Sequence, residues 1–321
     1  MNTEKYKSEF DSIMSGLYEA KAAQKKKNRV CLILLAAAIL GFVLSIVIIK
    51  SGVKFAFLAA FLILGAVSVI IMKNAGGKVS DAADAAKPEL NDKVFLPMLT
   101  EALNAEIVGK PGDRMRQLVE SVNGISMDDS NADFFSLRGE RAGKRFEVVT
   151  GYYTVTQEKK DEIVTTHLDA GTHVLLSDPG SHDAVILMDR LMTSLVLSEG
   201  IVADDIPKVK LDVKLPFKVR CADQTAAFRF MTPVKMEKLK VFDKEYNADY
   251  LLAEKDSFYA HARVLLIVPD YVDPKHTQTG VYASDLIRLG FESLKTAADE
   301  QAAKLNTLID NTIAMSRRPA V

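Results

Sequence analysis

Two long apolar runs near the amino terminus constrain this chain more than any other feature. The first covers residues 30–49 and the second covers residues 55–72, and neither contains a charged side chain. Because an α-helix rises about 1.5 Å per residue, runs of this length match the roughly 30 Å hydrocarbon core of a bilayer. Only residues 50–54 separate the two runs. The sequence therefore predicts a transmembrane helical hairpin over residues 30–72.

Positive charges around the runs predict how the hairpin is oriented. Eight basic side chains flank its outer ends, against Lys50 and Lys54 in the turn. Since cytoplasmic flanks carry the excess of lysine and arginine, we expect both termini in the cytoplasm. A cleaved signal peptide is disfavoured, because 29 residues precede the first run and a second run follows at once. The eight flanking residues are Lys21, Lys25, Lys26, Lys27, Arg29, Lys73, Lys78 and Lys87.

The polar side chains inside the runs are Cys31, Ser45 and Ser68, too few for an ion or proton pathway. The hairpin is therefore predicted to be an anchor. Ala37, Gly41 and Ser45 recur every four residues, and this small-residue ridge could hold either the second span or another subunit.

Residues 89–321 predict one soluble α+β domain with a mainly antiparallel sheet and peripheral helices. Alternation and turn residues place strands at 135–141 and 144–157 around Ala142-Gly143, and further strands at 173–177 and 264–268. Residues 184–197 are apolar and remain ambiguous between helix and strand. With Cys31 and Cys221 as its two cysteines, the chain has no disulfide framework, which fits a reducing compartment.

Helices are expected on both sides of the spans. Residues 1–29 predict an amphipathic cytoplasmic helix running into the first span, and residues 73–88 predict a linker or a frayed continuation of the second. Further helices are predicted near residues 90–104, where Pro97 would kink or begin the helix, and at 113–122 before Asn123-Gly124. Asp223 and the Thr232-Pro233 pair are expected to start two short helices.

A long helix is predicted at the carboxy terminus, over about residues 285–315. Its apolar side chains form one stripe, which would cover the sheet of the same domain or pair with another helix, such as the amino-terminal one. The stripe comprises Ile287, Phe291, Leu294, Ala298, Ala302, Leu305, Ile309 and Ile313.

Charge distribution excludes one class of partner and singles out one segment. Residues 73–321 carry a net charge of about −6, and because phosphate contacts need a basic footprint we expect no nucleic-acid partner. Residues 208–220 nevertheless alternate between apolar and mostly basic side chains, which predicts one strand with a basic face. That face is either an ordinary solvated face or a contact surface for anionic lipid or an acidic partner. Its candidate contact residues are Lys208, Lys210, Lys214, Lys218 and Arg220.

Catalytic motifs give weaker signals, and the sequence predicts no catalytic, cofactor-binding or metal-binding residue. Residues 109–112 resemble a phosphate-binding loop only superficially, because Pro111 replaces the hydroxyl residue that would meet magnesium. The polar loop at 128–133 lacks the glycine and glutamate of a calcium-binding hand. An imidazole and carboxylate site at 167–183 is the remaining possibility. It would draw on His167, His173, His182, Asp169, Asp178 and Asp183.

One segment carries a resemblance to a known family. Phe217, Asp223, Ala227, Thr232-Pro233, Met236 and Leu239 resemble the signature of a bacterial family defined only as a domain of unknown function, and Gly139 and Phe146 in an early hairpin fit its layout. That family joins two amino-terminal transmembrane helices to one soluble domain. This chain departs from it at Ala226, Ala227 and Phe228, where members have an acidic residue, alanine and arginine in series. The resemblance implies a bacterial inner-membrane protein with a LemA-type membrane protein as a candidate partner, and it implies no established activity.

Two functional hypotheses follow. The first is a membrane-anchored, cytoplasm-facing interaction or scaffold protein, integral through two spans, that binds a protein partner or self-associates through its helices. The second is a membrane-tethered enzyme, such as a hydrolase, built on the histidine and aspartate site at 167–183.

Overall fold

The computed structural model describes residues 2–48, 54–159, 162–177, 185–190, 207–209, 215–221, 223–268, 271–272, 286 and 288–317. It contains both helices and an antiparallel sheet, and the predicted α+β class is confirmed. The chain divides into two compact units. A hairpin unit comprises Asn2–Leu96 with Asp270–Lys295, and a sheet unit comprises Pro97–Pro269 with Thr296–Val321.

Two long helices form most of the hairpin unit. Helix α1 runs over Thr3–Ile48 without a break, so the predicted amphipathic segment and the first apolar run are one helix. Helix α2 runs over Lys54–Leu90. Residues 73–88 are therefore helical and do not form an irregular linker. Burial of Ala75, Val79 and Ala83 along this stretch explains why it stays helical.

The two helices pack as an antiparallel coiled coil. Side chains facing the partner helix recur at alternating steps of three and four residues, which is the heptad pattern of a left-handed supercoil. The backbone at Gly41 faces the ring of Phe61, and Gln24 faces Gly76, so the helices run in opposite directions. Seam positions include Tyr6, Phe10, Ile13, Leu17, Gln24, Cys31, Leu34, Ala38, Gly41 and Ser45 on α1, and Leu58, Phe61, Gly65, Ser68, Met72, Ala75, Val79, Ala82 and Ala86 on α2.

Large apolar side chains are exposed along the apolar runs of both helices. Each helix is long and apolar enough to cross a membrane, and only 17% and 6% of the two most apolar windows is buried. The core helix of a soluble protein would be mostly buried, so this pattern is compatible with transmembrane segments. Gly41 and Ser45 of the predicted small-residue ridge lie in the seam, whereas Ala37 is exposed and Ala38 takes its position.

Two aromatic pairs join residues of the hairpin unit that are distant in sequence. Phe10 meets Phe291 edge-on with ring centroids 5.9 Å apart, and Phe95 stacks on Tyr271 at 5.1 Å. A π-helical turn over Asn91–Phe95 follows α2, and helix α3 then spans Leu96–Leu103. The backbone stays helical through Leu90 and Leu96, so Pro97 directly follows the π-helical turn inside a continuous helix and has no amide to donate to the preceding turn.

Among the described residues, eight antiparallel strands build the sheet unit. In chain order they are β1 (Ala105–Val108), β2 (Ala132–Arg141), β3 (Lys144–Lys159), β4 (Glu162–Ser177), β5 (Ile186–Asp189), β6 (Lys218–Cys221), β7 (Ala248–Glu254) and β8 (Ser257–Ala262). Their spatial order is β1-β2-β3-β4-β8-β7-β5-β6. Ala142 and Gly143 both have positive φ and form the predicted hairpin turn between β2 and β3.

Two strand predictions need correction, and the stretch that the sequence left ambiguous is decided where the structure describes it. Strand β4 begins at Glu162 and not at 173, because it pairs with β3 along nearly its whole length. Residues 264–268 lie outside the sheet; Leu266 donates its amide to the Thr172 hydroxyl at 3.1 Å instead of joining a ladder. Within the ambiguous stretch 184–197, Ile186–Asp189 is a strand.

One face of the sheet carries an apolar core that helix α4 (Asp113–Asn123) covers. On this face, α4 packs Met115, Leu118 and Val119 against side chains from five strands. Helix α4 ends at Gly124 in the left-handed conformation, as predicted. This face also bears the buried polar residues described below. The strand residues in this core are Val149, Leu175, Leu187, Tyr250, Leu252 and Tyr259.

Helices α5 (Gln224–Phe230), α6 (Pro233–Tyr246) and α7 (Phe291–Ser316) complete the described structure. The side chains of Asp223 and Thr232 cap α5 and α6, confirming both predicted starts. Helix α7 begins later than residue 285, just after Gly290, whose flexible backbone disfavours a helix interior. Its predicted stripe is buried from Phe291 onward, whereas Ile287 lies outside the described residues.

Polar contacts fix α7 within the sheet unit. Arg141 donates two hydrogen bonds of 2.6 Å to the Asp310 carboxylate, and the Gln301 side chain accepts the Val268 amide at 2.9 Å. From Thr296 onward, α7 belongs to the sheet unit, and its apolar stripe is buried there. The first turn of α7 belongs to the hairpin unit, where Phe291 contacts Phe10.

Candidate functional site

The basic segment is not one continuous strand. Lys208 pairs antiparallel with Arg220, the Val209 amide donates to the Val219 carbonyl at 3.0 Å, and the Cys221 amide donates to the Pro207 carbonyl at 3.1 Å. The chain therefore reverses direction between these two arms. Pro216 has no amide to donate and lies in a bend just before β6, which explains why strict alternation of side chains did not produce one strand.

The five predicted contact residues have different environments. Lys208 and Lys218 are exposed, while Lys210 and Lys214 lie outside the described residues. Arg220 is only 2% exposed, and its Nε lies 3.1 Å from the carboxylate of the fully buried Asp189. Assigning Arg220 to a contact surface was therefore wrong, because β6 pairs with β5 inside the sheet and places Arg220 opposite the fully buried Leu187.

The histidines and aspartates at 167–183 do not form the predicted group. His182, Asp178 and Asp183 lie outside the described residues, and His167 lies on β4 opposite Thr154. Asp169 is exposed, whereas His173 is fully buried. The side-chain partners of His173 come from strand β8 and helix α4.

His173 and His261 form a buried pair across β4 and β8. Their rings stack with centroids 4.4 Å apart, and the Nε2 atoms lie 3.0 and 3.1 Å from the carbonyl oxygen of Ala170. Gly171, with φ of +79°, turns that carbonyl toward both rings, and a Cβ at this position would lie 2.7 Å from His261 Nε2. Only glycine allows this backbone path.

Further polar groups surround the pair. The Tyr259 hydroxyl lies 2.7 Å from His173 Nδ1, and the Asn123 amide nitrogen lies 3.2 Å from His173 Nε2. On the other side, His261 Nδ1 lies 3.9 Å from an Asp249 carboxylate oxygen, and Arg263 is hydrogen-bonded to the same carboxylate.

Burial decides the charge states of this cluster. It lowers the pKa of His173 well below the ordinary histidine value, and the neighbouring His261 adds to the effect. Burial likewise lowers the pKa of His261 to about 4 and raises the pKa of Tyr259 well above that of free tyrosine. Both imidazoles are therefore neutral at pH 7. Because the two histidines are 0% and 4% exposed, the pair acts as an internal hydrogen-bonded support and gives the hydrolase hypothesis no accessible base.

The loop at residues 109–112, which resembles a phosphate-binding loop in sequence, contacts the carboxylate of Glu147. The Gly112 amide at the start of α4 donates to Glu147 Oε1 at 2.8 Å, and Arg138 forms an ion pair of 3.2 Å with the same carboxylate. The polar loop after α4 is a connector in which Asp128 forms an ion pair with Arg116 at 2.6 Å. Among the described residues, no group of three or more histidine, cysteine, aspartate or glutamate side chains could hold a metal ion.

A buried lysine is a further feature that the sequence did not reveal. Lys235 lies with its ammonium 3.5 Å from the centroid of the Phe230 ring and donates to the Arg317 carbonyl at 2.9 Å. Burial lowers its pKa to about 7, and nearby Lys238 acts in the same direction.

Sequence reasoning missed His261, Asp249 and Tyr259 because β7 and β8 were not predicted as strands. The two runs join through a two-residue turn at Lys255-Asp256, which was the available signal for a hairpin. Comparison of the chain with family models, with curated proteins and with solved structures found no match.

Proposed function

We propose that this chain is a bacterial inner-membrane protein of two spans, with both termini in the cytoplasm, which acts as a non-catalytic interaction or scaffold protein. The observation that carries the proposal is the α1–α2 hairpin, whose apolar windows are only 17% and 6% buried. Such surface is stable when lipid covers it, and all backbone hydrogen bonds within each helix are internal. The excess of basic residues at the outer ends of the hairpin supports the orientation.

The packed pair of helices extends beyond the apolar runs. The helical segments outside the runs cover residues 3–29 on α1 and 73–90 on α2. Segments of this length extend roughly 25–40 Å. This extension supplies further helix surface for a protein partner or a second copy of the chain.

The exposed lysines of the basic segment supply a candidate contact surface. Lys208 and Lys218 stand on neighbouring arms of the reversed segment, and the sequence between them adds Lys210 and Lys214. Clustered exposed lysines favour an acidic partner and speed its association. We propose a protein partner in the same membrane, for which a LemA-type protein is the first candidate, or a second copy of the chain.

The proposal is tested by crosslinking in intact membranes followed by purification of the tagged chain. We expect replacement of Lys208, Lys210, Lys214 and Lys218 by glutamate to weaken crosslinking to the captured partner. A matched control changes four exposed lysines elsewhere by the same charge, namely Lys238, Lys244, Lys255 and Lys304. Equal crosslinking in wild type and in the first variant would remove this surface from the proposal.

A further inference from the structure

We infer that the hairpin unit binds the headgroups of anionic phospholipids at a collar of seven basic side chains just below the apolar runs. The collar consists of Lys21, Lys25, Lys26, Lys27, Arg29, Lys73 and Lys78. The inference rests on the proposed membrane insertion and adds the class of lipid that the inserted protein selects.

Antiparallel pairing brings the two halves of the collar to one level. Gln24 on α1 faces Gly76 on α2, with the Gln24 amide nitrogen 3.6 Å from the position of a Gly76 Cβ. The five α1 cations therefore lie beside the α2 segment that carries Lys73 and Lys78. All seven side chains are exposed, so they surround the coiled coil and do not lie in its seam.

Carboxylates are missing from this level of the hairpin sequence. Residues 20–29 and 73–80 contain seven basic residues and no acidic one, which gives the collar a net charge of +7. Glu19 and Asp81 are the next acidic residues in each direction away from the membrane. Acidic side chains farther along α2 form ion pairs with neighbouring lysines: Asp84 pairs with Lys87 at 3.0 Å, and Glu89 pairs with Lys93 at 2.7 Å.

The position of the collar identifies its ligand. The apolar runs begin at Val30 and end at Met72, directly next to Arg29 and Lys73. A lipid bilayer that covers the apolar surface necessarily places its headgroups at this level, within reach of flexible lysine side chains. A cluster of juxtamembrane basic residues attracts anionic headgroups, with an effect of about fivefold in affinity per cation near the surface. A free polyanion would lack this continuity with the apolar surface.

Spin-labelled lipids test the inference on the full-length protein. The chain is reconstituted into phosphatidylcholine vesicles containing phosphatidylglycerol, and electron paramagnetic resonance measures the fraction of labelled lipid immobilised by the protein. We expect labelled phosphatidylglycerol to be immobilised several-fold more than labelled phosphatidylcholine. Added salt should reduce this preference, because it screens exposed charges.

Two variants of equal charge separate the collar from a general charge effect. Replacing Lys21, Lys25, Lys26, Lys27 and Arg29 by glutamine should abolish most of the preference for phosphatidylglycerol. Replacing Lys7, Lys238, Lys244, Lys255 and Lys304, which are exposed elsewhere, should retain it. An arginine version of the α1 lysines keeps the charge and should bind as wild type does, which controls for folding.

The outcomes distinguish the two proposals. Immobilised lipid without a preference for phosphatidylglycerol, or an equal loss of preference in both glutamine variants, would overturn the collar and leave membrane insertion standing. If neither labelled lipid were immobilised, membrane insertion itself would be overturned.

Discussion

The ring of Phe146 on β3 lies across the backbone of Gly139 on β2, its register partner. A Cβ added at Gly139 would lie 2.6 Å from Phe146 Cζ and 2.9 Å from the Asn104 carbonyl oxygen. The glycine thus allows a fully buried aromatic ring to pack directly on a neighbouring strand.

We expect Gly139→Ala to lower the free energy of unfolding by about 1–3 kcal/mol, because both the ring and the backbone would have to shift. The Gly109→Ala variant is the control, since nothing lies within 4 Å of a Cβ there. Urea titration of the detergent-solubilised chain, followed by far-ultraviolet circular dichroism, measures the difference. Equal midpoints for the two variants would show that the ring does not restrict this position.

The buried ion pair of Arg220 with Asp189 supports the fold. Replacing Arg220 by glutamine removes the cation beside a fully buried carboxylate, which we expect to lower stability by about 3–5 kcal/mol. Lys218→Gln removes an exposed charge from the same strand and should change stability by less than about 0.5 kcal/mol. A mild effect of the Arg220 substitution in thermal unfolding would contradict the assignment of this residue to the interior.

The histidine pair should make the sheet unit sensitive to acid. Unfolded histidines bind protons below about pH 6.5, whereas burial lowers the pKa of His261 to about 4 and the pKa of His173 well below its ordinary value. The unfolded state therefore binds more protons in this window. Stability is fully present above pH 6.5 and should fall with pH by up to about 1.4 kcal/mol per unit for each histidine.

Urea titrations between pH 7.5 and pH 5 measure how much the free energy of unfolding changes per pH unit, which is at most about 1.4 kcal/mol for each histidine. His261→Gln should remove roughly half of the slope, because one proton-binding difference remains. An unchanged slope in this variant would show that His261 is not the group responsible.

The lowered pKa of Lys235 predicts that the stability of the fold depends on pH in the alkaline range. Its pKa is lowered from 10.5 to about 7, so between these values the unfolded state holds a proton that the folded state releases. Stability should therefore rise with pH across this window, by about 1.4 kcal/mol per unit at most. Lys235→Met should flatten the rise, whereas Lys244→Met, which removes an exposed lysine from the same helix, should not. A rise of equal slope in both variants would assign it to another group.

Local signals were enough to predict several elements. The apolar runs, the Asn123-Gly124 terminator, the Asp223 and Thr232 caps and the Ala142-Gly143 turn all depend on neighbouring residues, and each appears in the structure as expected. The continuity of α1 likewise followed from helical spacing of Tyr6, Phe10 and Leu17.

Other features depend on contacts that are distant in sequence. Strict alternation at 208–220 could not reveal a chain reversal, which became visible only when Lys208 was found opposite Arg220. Residues 73–88 are helical because α1 packs against them, although their composition resembles a linker. The His173–His261 pair joins two residues that are 88 positions apart along the chain, and no local pattern marks it.

Cysteine labelling tests the central claim of a two-pass insertion with both ends in the cytoplasm. Cys31 and Cys221 are both buried, and replacing them with alanine gives a background for single cysteines at Ser8, Ser51 and Lys304. Sealed right-side-out cells are treated with a membrane-impermeant maleimide before and after permeabilisation. The account predicts labelling at Ser51→Cys in sealed cells, and labelling at Ser8→Cys and Lys304→Cys only after permeabilisation. Labelling of Ser8→Cys or Lys304→Cys in sealed cells would contradict it.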